Sequence, residues 1–198
     1  MREVIEQVLR FQSLHAYPLP LNVRALCRTL GLELRPVMDI SRASGLRAAE
    51  VYGIWGNRDG VLQRVGGRYV LSYSNYRPLR RQRFTICEEA AHYLLGHLDE
   101  EGFDLFGQSW SEEVYRKCEE EARLAAAMLL CPPRWYYAHR EELDEAALSK
   151  RCTVSPACAR RVIADYARLE QEIRACPGYG FVPVNAERTR TAKKVLQK

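Results

Sequence analysis

The chain has 198 residues, of which 47% are hydrophobic and 28% charged, with 30 basic against 25 acidic side chains for a net charge of +5. That length suffices for one hydrophobic core with a small appendage, and the composition is that of an ordinary globular protein. No run of about 18 or more apolar residues occurs, which excludes a transmembrane helix. The first eleven residues carry two glutamates and lack a secretory apolar core. The seven cysteines are odd in number, scattered and free of CxxC pairs, so a zinc ribbon or a redox motif is not indicated. Most fall in apolar helical patterns, where a reduced thiol behaves as a small hydrophobe; together these features point to a reducing, cytoplasmic setting. The modest positive charge comes mainly from arginine, and it permits a nucleic-acid partner without arguing for one.

In chain order, residues 2–13 place Val4, Ile5, Val8 and Leu9 on one helical face. A second helix follows Pro20, with Asn22 as N-cap, Val23, Leu26 and Leu30 inward, and Gly31 as its stop. Residues 32–37 alternate as a strand, and residues 50–55, 61–65 and 68–73 also read as strands. The turn signals at residues 57–60 and at Gly66-Gly67 join them as antiparallel hairpins. Helices dominate the remainder, at residues 79–97, 111–130, 144–152 and 156–175. Pro132-Pro133 stops the second of these, and Ser155-Pro156 opens the last. Trp135, Tyr136 and Tyr137 read as packing. The tail after Pro177 has one apolar stretch, residues 181–184, then turns polar and basic, and its end is expected to be mobile.

The chemistry concentrates on the first long helix, which reads RFTICEEAAHYLLGH from Arg83 to His97. In a zincin, two histidines four residues apart bind zinc from one helical face, and the glutamate after the first acts on the metal-bound water. The corresponding positions here are Glu88 and His92, with Glu89 in the place of the general base, while Phe84, Ala91, Leu94 and Leu95 would hold the helix to the core. Taken alone, EExxH equally describes a solvated acidic face with a Glu88–His92 charge pair. His97 follows His92 by five residues rather than the six of a metzincin, and reads as a helix-terminal histidine favoured by the dipole. His15 and His139 have no motif around them.

The flanks add to this. RQRFT ahead of the pair, HYLLGH behind it, and the downstream EARLAAAMLLCP, residues 121–132, resemble the ImmA/IrrE family of metallopeptidases. So do the LGLEL segment, Asn75, and LSKRCTVSPACARRVI at residues 148–163. The resemblance spans roughly residues 23–166. It implies an α+β fold, namely a zincin-like, mostly helical domain over residues 1–140 with a small antiparallel sheet. A helix-turn-helix-like pair over residues 141–176 would pack on it, ahead of a tail at 177–198. It also implies a zinc site with His92 and Glu121 as metal ligands, Glu88 at the first histidine's position, and Glu89 as base. Glu119 and Glu120 neighbour Glu121, so the third ligand is open to a slip by one or two residues. The family's asparagine after EA is Arg123 here, so both departures fall at the site.

A carboxylate at position 88 does not by itself abolish metal binding. One imidazole with two carboxylates is a harder set, shifting preference from zinc toward manganese, iron(II) or magnesium. It also makes a weaker Lewis acid and a less acidic bound water. The resemblance therefore implies a metallopeptidase-like protein acting on a protein partner, in this family a helix-turn-helix repressor of a phage or mobile element. The alternative is a catalytically weak or inactive protease-derived module that binds a regulator without cutting it. A DNA-binding reading of residues 144–169, through Arg160, Arg161 and Arg168, stands third.

Overall fold

A computed structural model describes residues 1–15, 18–56, 58–99 and 111–180 of the chain. The apolar stretch and basic run of the C-terminal tail, beyond residue 180, lie outside the described residues.

The first helix, α1 (Arg2–Leu14), buries the face formed by Val4, Ile5, Val8, Leu9 and Phe11. Helix α2 (Val23–Thr29) begins as its sequence indicates, with the Asn22 carboxamide accepting from the backbone N–H of Arg24 and Ala25 at 3.1 Å each. It ends through Gly31, whose φ of +71° any side chain would resist. After β1 (Glu33–Pro36) come two short helices, α3 (Val37–Ser44) and α4 (Ala48–Ile54). The second overturns the strand expected at residues 50–55. Glu50 accepts a hydrogen bond from the Arg47 backbone N–H at 2.7 Å, which opens a helix, and Val51 and Trp55 then fall one turn apart in a small core with Val37 and Val61. The aromatic and β-branched content of the segment favours a strand locally, but packing at helical spacing wins.

Strands β2 (Gly60–Val65) and β3 (Arg68–Tyr73) form the expected antiparallel hairpin, Gly60 opposite Tyr73 and Val65 opposite Arg68. The sheet is nevertheless mixed rather than antiparallel: β1 runs parallel to β3, in the order β1-β3-β2. Helices α3 and α4 lie between β1 and the hairpin, so the chain crosses over before returning to pair beside β1, a path that a parallel connection requires.

Helix α5 (Leu79–Leu94) and helix α6 (Glu112–Leu130) form the centre of the molecule. Helix α6 opens with Ser111 accepting from the Val114 N–H and buries Ala122 and nearly everything from Leu124 to Leu130. Helix α5 turns Arg83, Thr85, Ile86, Cys87, Ala90 and Ala91 inward, while Phe84, Leu94 and Leu95 are only partly covered. The buried Arg83 guanidinium donates to the carbonyls of Leu21 (2.9 Å), Thr153 (3.1 Å) and Cys152 (3.3 Å), tying α5 to the segment before α2 and to the turn after α8 (Glu145–Cys152).

Helix α7 (Pro133–His139) carries Tyr136 and Tyr137 against Tyr166 of α9 (Pro156–Ala175), and the Tyr137 hydroxyl donates to the Tyr166 carbonyl at 2.7 Å. These aromatics pack, as expected. Helices α8 and α9 meet at Thr153, held in the left-handed region at φ 54°, and Ser155 caps α9 by accepting from the Cys158 N–H. The described fold is thus α+β, mostly helical, with one three-stranded sheet.

Candidate functional site

Where α5, α6 and β2 meet, a cleft of about 640 Å³ opens, with Glu88, Glu89, His92, Glu119 and Arg123 in its lining. Glu88 and His92 are four residues apart on α5 and share its cleft face, as helical geometry dictates. Glu89 points toward β2. A Cβ at Gly60 would sit 2.5 Å from Thr85 Cγ2 and 3.3 Å from Glu89 Cγ, so the missing side chain is what lets α5 approach the start of that strand.

From α6, the residue that faces His92 is Glu119, whose Oε1 lies 3.6 Å from His92 Nε2. Glu121 is not brought to Glu88 and His92. Its Oε2 lies 3.3 Å from His97 Nε2, and its other oxygen lies 4.0 Å from the Lys117 ammonium. Two residues along a helix amount to about 200° of rotation, so Glu119 and Glu121 look to different sides of α6. Glu120 is exposed.

Arg123, one turn after Glu119, completes the cleft. Its Nε is 3.3 Å from Glu88 Oε1 and its Nη2 donates to Glu119 Oε2 at 2.9 Å. One guanidinium therefore links the carboxylates of both helices. Glu88 and Arg123, the two positions that the resemblance sets apart, are partners of each other.

Enclosure and charge set the protonation of these groups. Burial pushes the Glu89 carboxyl up to about 7, with the negative charges of Glu88 and Glu119 adding to it and His92 opposing. Burial and Glu119 likewise raise Glu88, against Arg123. Burial alone would lower His92, but the contact with Glu119 and the charge of Glu89 outweigh it and hold the imidazole above its usual value. His97 is pushed the other way, to about 4, by burial and by its cationic neighbour His92. The Nδ1 atoms of the two rings lie 2.9 Å apart, so one ring donates to the other, and His97 Nε2 faces Glu121.

With this geometry described, comparison with known proteins decides the family. Residues 52–162 match the sequence profile of the IrrE N-terminal-like domain, a peptidase family. The chain belongs to that family. No curated protein and no solved structure matches it significantly.

Membership of the IrrE N-terminal-like family implies a divalent metal. The residues in this cleft do not fit that role as they stand. Arg123 already neutralises the two carboxylates that would have to join His92. Among the described residues, the group whose donor atoms all lie within 4.8 Å of one another is instead His97, Cys118 and Glu121, on the far side of His92. Of the residues singled out in the sequence, then, the fold gathers Glu88, Glu89 and His92 in one cleft and sends Glu121 elsewhere.

Glu119 was visible only as an alternative, Arg123 only as a departure, and Cys118 not at all. The signal available was periodicity. Glu119 and Arg123 are four apart on one helical face, just as Glu88 and His92 are, and two i, i+4 pairs on adjacent helices invite pairing.

Proposed function

We propose that this member of the IrrE N-terminal-like family is a protease-derived module that holds an extended segment of a protein partner in the α5–α6–β2 cleft without metal-dependent cleavage. The Arg123 bridge carries this reading. A guanidinium fixed to Glu88 and Glu119 supplies the positive charge that the two carboxylates need, at the place where a hydrolytic site would require an ion.

Two further features support partner binding. Among the described residues, strand β2 is paired on one side only, with β3, and its residues Gly60 to Leu62 line the cleft, a geometry suited to strand addition by a peptide. The Thr85 hydroxyl in the same lining is buried and has no hydrogen-bond partner among the described residues, so an incoming polar group would relieve its desolvation. The partner class carried over from the resemblance is a helix-turn-helix repressor of a phage or mobile element, and the compartment is the cytoplasm.

A second reading, hydrolysis with Glu89 as general base, has one observation in its favour. The Glu89 carboxyl is raised to about 7, the range in which a base works best near neutral pH. It requires Arg123 to release both carboxylates. Of the three arginines of the DNA-binding reading, Arg160 is engaged by Glu145 at 2.9 and 3.0 Å, Arg168 by Asp165 at 3.1 Å, and Arg161 lines the cleft.

The test is metal stoichiometry in variants of the cleft. Glu88→Gln is expected to leave any zinc content of the protein unchanged, whereas Glu88→His combined with Arg123→Asn should gain one equivalent. Loss of bound zinc in Glu88→Gln would overturn the proposal.

A further inference from the structure

Behind the cleft, on the side of His92 away from Glu119, lies a separate cluster. His97, just past the end of α5, is 4% exposed. Cys118, on α6, is 5% exposed, and Glu121 is half-buried one turn further along the same face of that helix. One ligand atom from each lies within 4.8 Å of the others. None of the three is part of the cleft lining.

From this geometry we infer that His97, Cys118 and Glu121 form a three-donor binding site for a divalent transition metal of zinc type, distinct from the Glu88–His92 position, with the fourth position left to water. The donor set is one imidazole, one thiolate and one carboxylate, which selects zinc or cobalt over magnesium or calcium through the soft sulfur. One edge of the set, His97 to Glu121, has the length of a tetrahedral edge. Donors about 2.0–2.1 Å from a zinc ion stand about 3.3 Å apart along a tetrahedral edge. His97 Nε2 and Glu121 Oε2 are separated by 3.3 Å, a length that serves equally for a long hydrogen bond between them and for such an edge.

The surroundings complete the arrangement. A metal-binding histidine almost always has its second ring nitrogen hydrogen-bonded, which fixes the ring. His97 Nδ1 is held in this way by His92 Nδ1 at 2.9 Å, leaving Nε2 turned to Cys118 and Glu121. Binding displaces the Cys118 thiol proton to solvent, and one proton leaves the His92–His97 pair so that His97 keeps its own on Nδ1, donated to His92 Nδ1, and offers the Nε2 lone pair. The Lys117 ammonium, 4.0 Å from Glu121 Oε1, stays beside the oxygen opposite the one that faces His97. Because Cys118 and Glu121 belong to α6 and His97 to the end of α5, such an ion would cross-link the two central helices behind the cleft.

The site is independent of the reading given for the cleft, and its test has its own readout. Titration of the purified full-length chain with cobalt(II) is expected to show one equivalent bound, with the near-ultraviolet charge-transfer band of a cobalt–thiolate bond. Cys118→Ser should abolish the band and weaken binding by more than about tenfold. Glu88→Gln and Cys158→Ser should leave both band and stoichiometry intact. Because Cys118 is buried, its variant is paired with a second measurement: zinc should protect Cys118 in the wild-type protein from alkylation, mapped by mass spectrometry. A cobalt complex without the thiolate band, a band that survives Cys118→Ser, or unprotected Cys118 would each overturn the inference. Loss of cobalt in Glu88→Gln would instead contradict the proposal for the cleft.

Discussion

Arg123 on α6 reaches across to Glu88 on α5, Nε to Oε1, at 3.3 Å. The same guanidinium holds Glu119, so one arginine joins the facing surfaces of the two helices that build the cleft. Removing it leaves two carboxylates facing each other, their side chains only 15% and 20% exposed. Arg123→Ala is therefore expected to destabilise the fold. With the arginine itself 44% exposed, solvent screening keeps the cost near about 1–2 kcal/mol rather than that of a fully buried pair. The measurement is the urea midpoint at constant m-value. A midpoint unchanged from wild type would show that the bridge carries no weight in solution.

Arg83 is a stronger structural tie. Its three carbonyl partners, Leu21, Thr153 and Cys152, are left without their donor in Arg83→Met. The expected loss is about 2–4 kcal/mol, and Arg83→Lys, which cannot span all three, should fall between. Chemical denaturation of the three proteins gives the order directly.

Gly60 reports on the approach of α5 to β2. A methyl group there meets Thr85 Cγ2 at 2.5 Å and the Ser72 carbonyl oxygen at 3.2 Å, and backbone cannot yield as a side-chain tip can. Gly60→Ala should cost about 1–3 kcal/mol, through overpacking. It should also weaken binding of any peptide that occupies the cleft, since Glu89 and Thr85 are displaced together. Thermal melting checks the first effect. Equal melting temperatures would show that the strand relaxes freely.

Asp59 supplies a pH dependence whose sign is fixed by its partners. Burial alone would raise its carboxyl, but the hydrogen bonds from Arg81 at 2.8 Å and Arg77 at 2.7 Å outweigh this and hold it below the usual carboxylate range. A carboxylate depressed in the folded state stabilises above its unfolded pKa and loses that contribution as pH falls through the folded value. Asp59→Asn should thus be less stable than wild type at neutral pH by about 0.5–1 kcal/mol, given that both arginines are about half exposed. The difference should close as the pH is lowered through the acidic range. A gap that persists undiminished at low pH would assign the effect to packing instead.

Much of the architecture was legible in order along the chain because its signals are local. The Asn22 cap, the Ser155-Pro156 start of α9, the hairpin at Gly66-Gly67 and the stop at Pro132 each depend on a few neighbouring residues. The segment around Val51 was misread because its aromatic and β-branched residues favour a strand. The fold makes it a helix so that Val51 and Trp55 can cover Val37 and Val61. The parallel pairing of β1 with β3 was likewise out of reach, since register between distant strands depends on which faces the core accepts.

The sequence by itself determined the helix carrying Glu88, Glu89 and His92, and the shared face that four-residue spacing imposes. Through the resemblance, it also set positions 88 and 123 apart. Only the tertiary structure decided which of three consecutive glutamates faces that helix, that Arg123 closes on Glu88, and that His97 meets Cys118 and Glu121 behind them. The physical reason is rotational phase. Each residue turns a helix by about 100°, so chemistry and spacing are written locally, while the direction a helix faces is set by the packing of α6 against α5.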